Sequence, residues 1–121
     1  MSLQVLELGG ERYVMRPSYQ AMRDIEARSD LTIAELLDLA LAGRLKIEEA
    51  VIIFWCACEA GGAGFSSMEA LGKAIFELRL TAAPVREALV VYLTHCLYAP
   101  AEAKKKLDTE LLPHLATEAA G

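Results

Sequence analysis

From Ala50 to Cys58 the chain runs through nine consecutive apolar residues, Ala-Val-Ile-Ile-Phe-Trp-Cys-Ala-Cys. No other feature limits the fold as much. Wound as a helix, this stretch is apolar on every side and must be covered all round. It falls far short of the ~20 residues that span a bilayer. It therefore predicts a buried central helix, with Phe54 and Trp55 as its largest core contributors. The remaining residues must supply the cover. Apolar residues make up 55% of the 121, enough for the core of one domain and too short a chain for a comfortable second one. Ala and Leu together number 39, against 12 for Val and Ile. That favours helix, because β-branched side chains lose more rotamer freedom there. With no Asn, 4 Pro and 8 Gly, the chain is neither loop-rich nor disordered.

The cover can be read along the chain. Residues 3–16 predict a hairpin around a Gly9-Gly10 turn. Val5 then faces Val14, Leu6 faces Tyr13, Glu7 faces Arg12 and Leu8 faces Glu11. One face carries Leu6, Leu8, Tyr13 and Met15 and should lie on the helices, since a lone hairpin is marginal in water. Pro17 marks the switch to helix. Ser18 is the expected N-cap, and Tyr19, Met22 and Ile25 recur at helical spacing. Thr32 and Glu35 form a capping box opening a helix with Ile33, Leu36, Leu37, Ala40 and Leu41 inward, stopped at Gly43. The central helix begins near Ile47, with Glu48 and Glu49 at the positive end of its dipole, and ends at Gly61-Gly62-Ala63-Gly64. Ser66 and Glu69 suggest a second capping box, followed by a Leu71, Ile75, Leu78 stripe. Thr81 is the expected cap of a helix with Pro84 in its first turn and Val85, Leu89, Tyr92, Leu93 and Cys96 on its buried face. A polar helix from Ala101 to Leu112, limited by Pro113, leaves a frayed end.

Few residues suggest chemistry. Three Cys is an odd number, which excludes a complete set of internal disulfides and suits a reducing cytoplasm. The N-terminus has no basic start followed by an apolar stretch, so no signal peptide is expected. Cys56 and Cys58 lie two apart and diverge by ~200° on a helix, so they cannot share a metal ion. His95 and Cys96 diverge too. Cys58 could meet His95 across the core, but no third group orients such a pair. The glycines at 61–64 follow a helix and lack the lysine of a phosphate loop. Neither a cofactor nor a metal site nor a catalytic residue is expected. Net charge is −5 from 12 basic and 17 acidic residues, the wrong sign for a nucleic-acid partner. The 33–42 and 47–60 helices could be read as a helix-turn-helix, yet the second would present carboxylates and an apolar body to DNA.

Leu8-Gly9-Gly10-Glu11-Arg12-Tyr13, Arg16-Pro17-Ser18-Tyr19, Ile25-Glu26-Ala27-Arg28 and Glu59-Ala60-Gly61-Gly62 together make a recognisable opening. Residues 3–62 resemble the small gene transfer agent family proteins encoded among phage-tail genes in alphaproteobacteria. The resemblance implies a tail assembly chaperone-like role: binding of a tail subunit or tape-measure protein during morphogenesis, without catalysis. The alternatives are a structural tail component (tube or adaptor) retained in the particle, and a small DNA-binding regulator. A tube subunit needs a substantial sheet, and one short hairpin does not supply it.

The expectation is thus an α+β, mainly helical single domain over residues 1–121. An N-terminal β-hairpin (3–16) packs on about five α-helices, with a helical core at 18–98 and a C-terminal helix and frayed tail at 101–121. Partner contacts are expected from apolar surface left over after folding. The candidates are the hairpin edge (Leu3, Val5, Val14) and a detachable tail stripe (Leu107, Leu111, Leu115) next to Lys104-Lys105-Lys106. The same groups would serve a homo-oligomer seam. No membrane partner is expected.

Overall fold

A computed structural model describes residues 4–8, 10–62 and 65–120, with side chains through residue 117. Strands β1 (Gln4–Leu8) and β2 (Glu11–Met15) pair antiparallel. The register is the expected one, Val5 opposite Val14 and Glu7 opposite Arg12. Gly10 takes φ +83° in the turn, where an L side chain would be strained. Leu6, Leu8 and Met15 are buried and Tyr13 half-buried, so the predicted face is the one that packs. The helices follow: α1 (Tyr19–Ser29), α2 (Ile33–Leu41), α3 (Ile47–Ala60), α4 (Met68–Leu78), α5 (Ala83–Leu97), α6 (Pro100–Lys106) and α7 (Leu112–Ala120). A π turn, Leu107–Leu111, joins α6 to α7. The fold is α+β and mainly helical.

Local chemistry sets most helix ends. Ser18 Oγ accepts the Ala21 N–H at 3.0 Å. Thr32 and Glu35 complete a reciprocal capping box. Glu26, one turn before the end of α1, also accepts the Ile33 N–H at 3.0 Å, so α1 caps α2. At the far end of α2, Gly43 at φ +69° lets Arg44 N–H reach Leu39 O and Gly43 N–H reach Ala40 O, satisfying two terminal carbonyls.

Several readings of the helices need correction. Leu78 is 40% exposed at the end of α4 and does not share the buried row of Leu71 and Ile75. The cap of α4 is Ser67, whose Oγ accepts from Ala70 N–H; this moves the third helical position off Glu69, which instead pairs with Lys73. Ala82, without a side-chain cap bond, precedes α5. Pro84 at the second position has no N–H, so Thr81 has one donor fewer to serve. Tyr19 is 76% exposed, because α1 buries Ala21 and Ile25 and turns its first residue outward. The last helix does not stop at Pro113. Leu112 N–H bonds Leu107 O across the wide turn, and that extra residue makes room for the proline ring, so the backbone stays helical to Ala120.

Two helices organise the core. Helix α3 packs on α1, α4, β2 and α5; helix α5 packs on α2, β1, α6 and α7. Phe54 is fully buried, as expected, but Trp55 is only half-buried. It leans toward Phe65, which in turn stacks on Tyr13 with ring centroids 4.4 Å apart. Tyr92 is the largest fully buried side chain.

Where β2 meets α3 the backbones nearly touch. A Cβ on Gly61 would lie 2.0 Å from Val14 O, and Arg16 N–H bonds Ala57 O at 3.1 Å. Gly61 itself has φ −82°, so it is needed for space. Its neighbour Gly62, at φ +90° in open surroundings, is needed for conformation. Gly61→Ala should therefore lower unfolding free energy by more than about 2 kcal/mol. Gly62→Ala should cost only about 1 kcal/mol. Urea denaturation of the two variants checks the order.

Candidate apolar docking trough

Helix α4 packs chiefly on α3, which leaves it at the edge of the fold. Its inward row is Leu71 and Ile75, both fully buried. One position along runs a second row, Met68, Gly72 and Phe76, spaced four residues apart on the adjacent face. Across from it α3 presents Ile47, Val51 and Ile52. Together they line an open trough of about 540 Å³. Phe76 is 56% exposed and Ile47 40%. Gly72 keeps the floor low, since a Cβ there would sit 3.5 Å from Val51 Cγ2. Glu48, Glu69 and Lys73 supply the charges of the lining. Glu69 Oε1 and Lys73 Nζ are 3.5 Å apart and both largely in water, a pair worth little to stability. The Arg79 guanidinium sits 4.1 Å from the Phe76 ring centroid, and Arg28 Nη1 approaches Met68 Sδ at 3.6 Å.

Other cavities are smaller or more polar. A shallow one of about 470 Å³ flanks β1 and is lined by Val5 and Leu78 with Glu7, Arg12 and Glu87. One of about 210 Å³ lies between α2 and α5. There Arg86 Nη2 donates to Leu41 O at 3.3 Å, placing a cation at the negative end of α2.

The partner residues expected from sequence fall in different places. Leu3 lies outside the described residues. Val5 is 36% exposed, whereas Val14 is half-buried against Gly61. Leu107 is buried in the core, and Leu111 and Leu115 pack partly buried against it. The tail stripe is therefore not a detachable surface here. Ala103 and Leu107 have no water to face, because α6 lies on α5. Lys104 pairs with Asp108 at 3.2 Å and Lys106 sits over the Tyr98 ring, which holds the basic cluster along the helix. The trough was missed. Its signal is Met68 and Phe76 flanking Gly72, an apolar row beyond the one an edge helix needs.

Chemistry of the thiols points away from nucleophilic use. Burial pushes the Cys56 thiol up to about 11 and the Cys58 and Cys96 thiols up to about 12, so each is held as the unreactive S–H form. Burial also raises Tyr92, whose hydroxyl donates to Arg16 O at 2.9 Å, and lowers His95. Among the described residues no three His, Cys, Asp or Glu side chains could hold one metal ion, and no helix is long and apolar enough to cross a membrane. No protein-family profile, curated protein or solved structure matches the chain.

A thiol raised by folding stabilises the native state fully below its unfolded value of 9.0 and loses that contribution as pH climbs toward 12. The urea midpoint should accordingly fall as pH rises from about 9 to about 11. At pH near 8, thiol reagents should label Cys58 at least about 100-fold more slowly in the native protein than in urea. A colorimetric thiol assay reads this directly.

Proposed function

We propose that this protein works by binding another protein, as a chaperone-like assembly factor for a phage-tail or gene-transfer-agent particle. The observation that carries the reading is the trough, with Phe76 and Ile47 held in water on its walls. An exposed large apolar side chain is uncomfortable alone and gains about 1.5–3 kcal/mol when fully covered. The complementary client is a helical or partly unfolded segment of a tail subunit or tape-measure protein, offering apolar side chains of its own. The likeness of residues 3–62 to the gene transfer agent family supplies the biological setting. Buried, reduced thiols suit a cytoplasmic location.

The rival readings draw less support. For DNA binding, α3 would be the reading helix, but it lies in the core and opens with Glu48 and Glu49. A structural tail component retained in the particle differs from a chaperone in its fate alone, so mass spectrometry of purified particles separates them. Stoichiometric recovery there would reject the chaperone reading.

The direct test is co-expression with the neighbouring tail proteins followed by pull-down. Phe76→Glu should reduce capture at least about 10-fold, the equivalent of one lost apolar anchor. Circular dichroism should be unchanged, because Phe76 is outside the core. Capture by the variant equal to that of the natural chain would remove the trough from the mechanism.

A further inference from the structure

We infer that a second copy of this chain docks on the α3–α4 trough, with the two α4 helices antiparallel about a two-fold axis at Gly72. The outward row of α4 is symmetric in size about that glycine: Met68 one turn before it, Phe76 one turn after. Turning the helix end for end lays Met68 against the second copy's Phe76, twice over. Gly72 then lies against itself, where the absence of a side chain lets the helix axes approach closely. Such self-complementarity is what a two-fold interface requires.

Charge points to the same arrangement. Glu69 and Lys73 follow Met68 and Gly72 by one position each, so they share one flank of the row. About the two-fold axis, Glu69 falls two residues, about 3 Å along the axis, from the second copy's Lys73. Two such pairs form. A parallel two-fold pair would instead put this flank of the two helices on opposite sides of the seam, and neither charge pair would form. Both side chains project well into solvent, at 80% and 78% exposure, and are free to swing from their own helix to the neighbour. On the other flank Ile47 and Val51 supply apolar cover. The contact is only two helical turns long, so it belongs with interfaces below about 1,200 Å² and with micromolar association.

This pairing does not need a client. Where the client reading of the trough also holds, the second copy is what a client must displace.

Analytical ultracentrifugation of the full chain at low ionic strength, from roughly micromolar to several hundred micromolar, tests it. The mass should rise from 13.2 kDa toward twice that value. Glu69→Lys alone and Lys73→Glu alone should each weaken association by about 10-fold or more, because each turns two attractive pairs repulsive. Mixing the two variants should restore it, because one then presents two positive charges to the other's two negative ones. Phe76→Glu should weaken it as well. Circular dichroism confirms folding of each variant. A monomer at every concentration overturns the inference, and so does a dimer indifferent to the single reversals. If the dimer forms as described but no tail protein is captured, the client reading fails and the pairing stands. If a monomeric chain captures a tail protein through Phe76, the trough belongs to the client and the pairing fails.

Discussion

The backbone of Arg16 is held from both sides. Its N–H bonds the carbonyl of Ala57 in α3, and its carbonyl accepts the hydroxyl of Tyr92 in α5. One turn further along α3, Gly61 allows β2 to close on the helix to a distance that no side chain would permit. This junction joins the only sheet among the described residues to the two helices that organise the core. A two-stranded hairpin has too little buried surface to stand alone; here it is secured by backbone and by the largest buried aromatic. With that strand in place, Leu6, Leu8 and Met15 complete the apolar cover of α3 and α5. The nine-residue apolar run can then exist in water.

Several residues that make the opening of the chain recognisable turn out to serve this scaffold. Arg16 contributes its backbone, Ser18 caps α1, Glu26 caps α2, and Gly61 provides clearance. None of them lines the trough. Those segments therefore bear on how the molecule is held together. The trough is walled by the first turns of α3, within the 3–62 stretch, and by α4, beyond it.

Much of this was legible in the residues, for reasons that are local. The hairpin register follows from a glycine turn and alternation, and it agrees at every described pair. The capping of α2 follows from Thr32 and Glu35. Readings failed where two candidates competed or where distant packing decided. Ser66 and Ser67 are equally good caps, and only the helix start separates them. Trp55 is as apolar as Phe54, yet it lies on the side of α3 that faces Phe65 and the rim. Leu107, Leu111 and Leu115 form an amphipathic row whether they meet their own domain or a stranger; that α5 takes them is a tertiary fact. Pro113 ordinarily limits a helix, and a π turn upstream is not encoded in any propensity. Nor is the trough visible: it takes α4 lying at an edge to leave Phe76 without cover.

Because α4 rests mainly on a single neighbour, its two rows answer to different demands. Leu71 and Ile75 are committed to the interior. Phe76 touches little that the interior depends on, while Met68 is half-buried against the core. The exposed part of the outward row is therefore open to change by substitution without refolding, while the inward row keeps the helix in place. One unchanged frame can thus carry differing exposed faces, with the variation confined to a few positions of one helix.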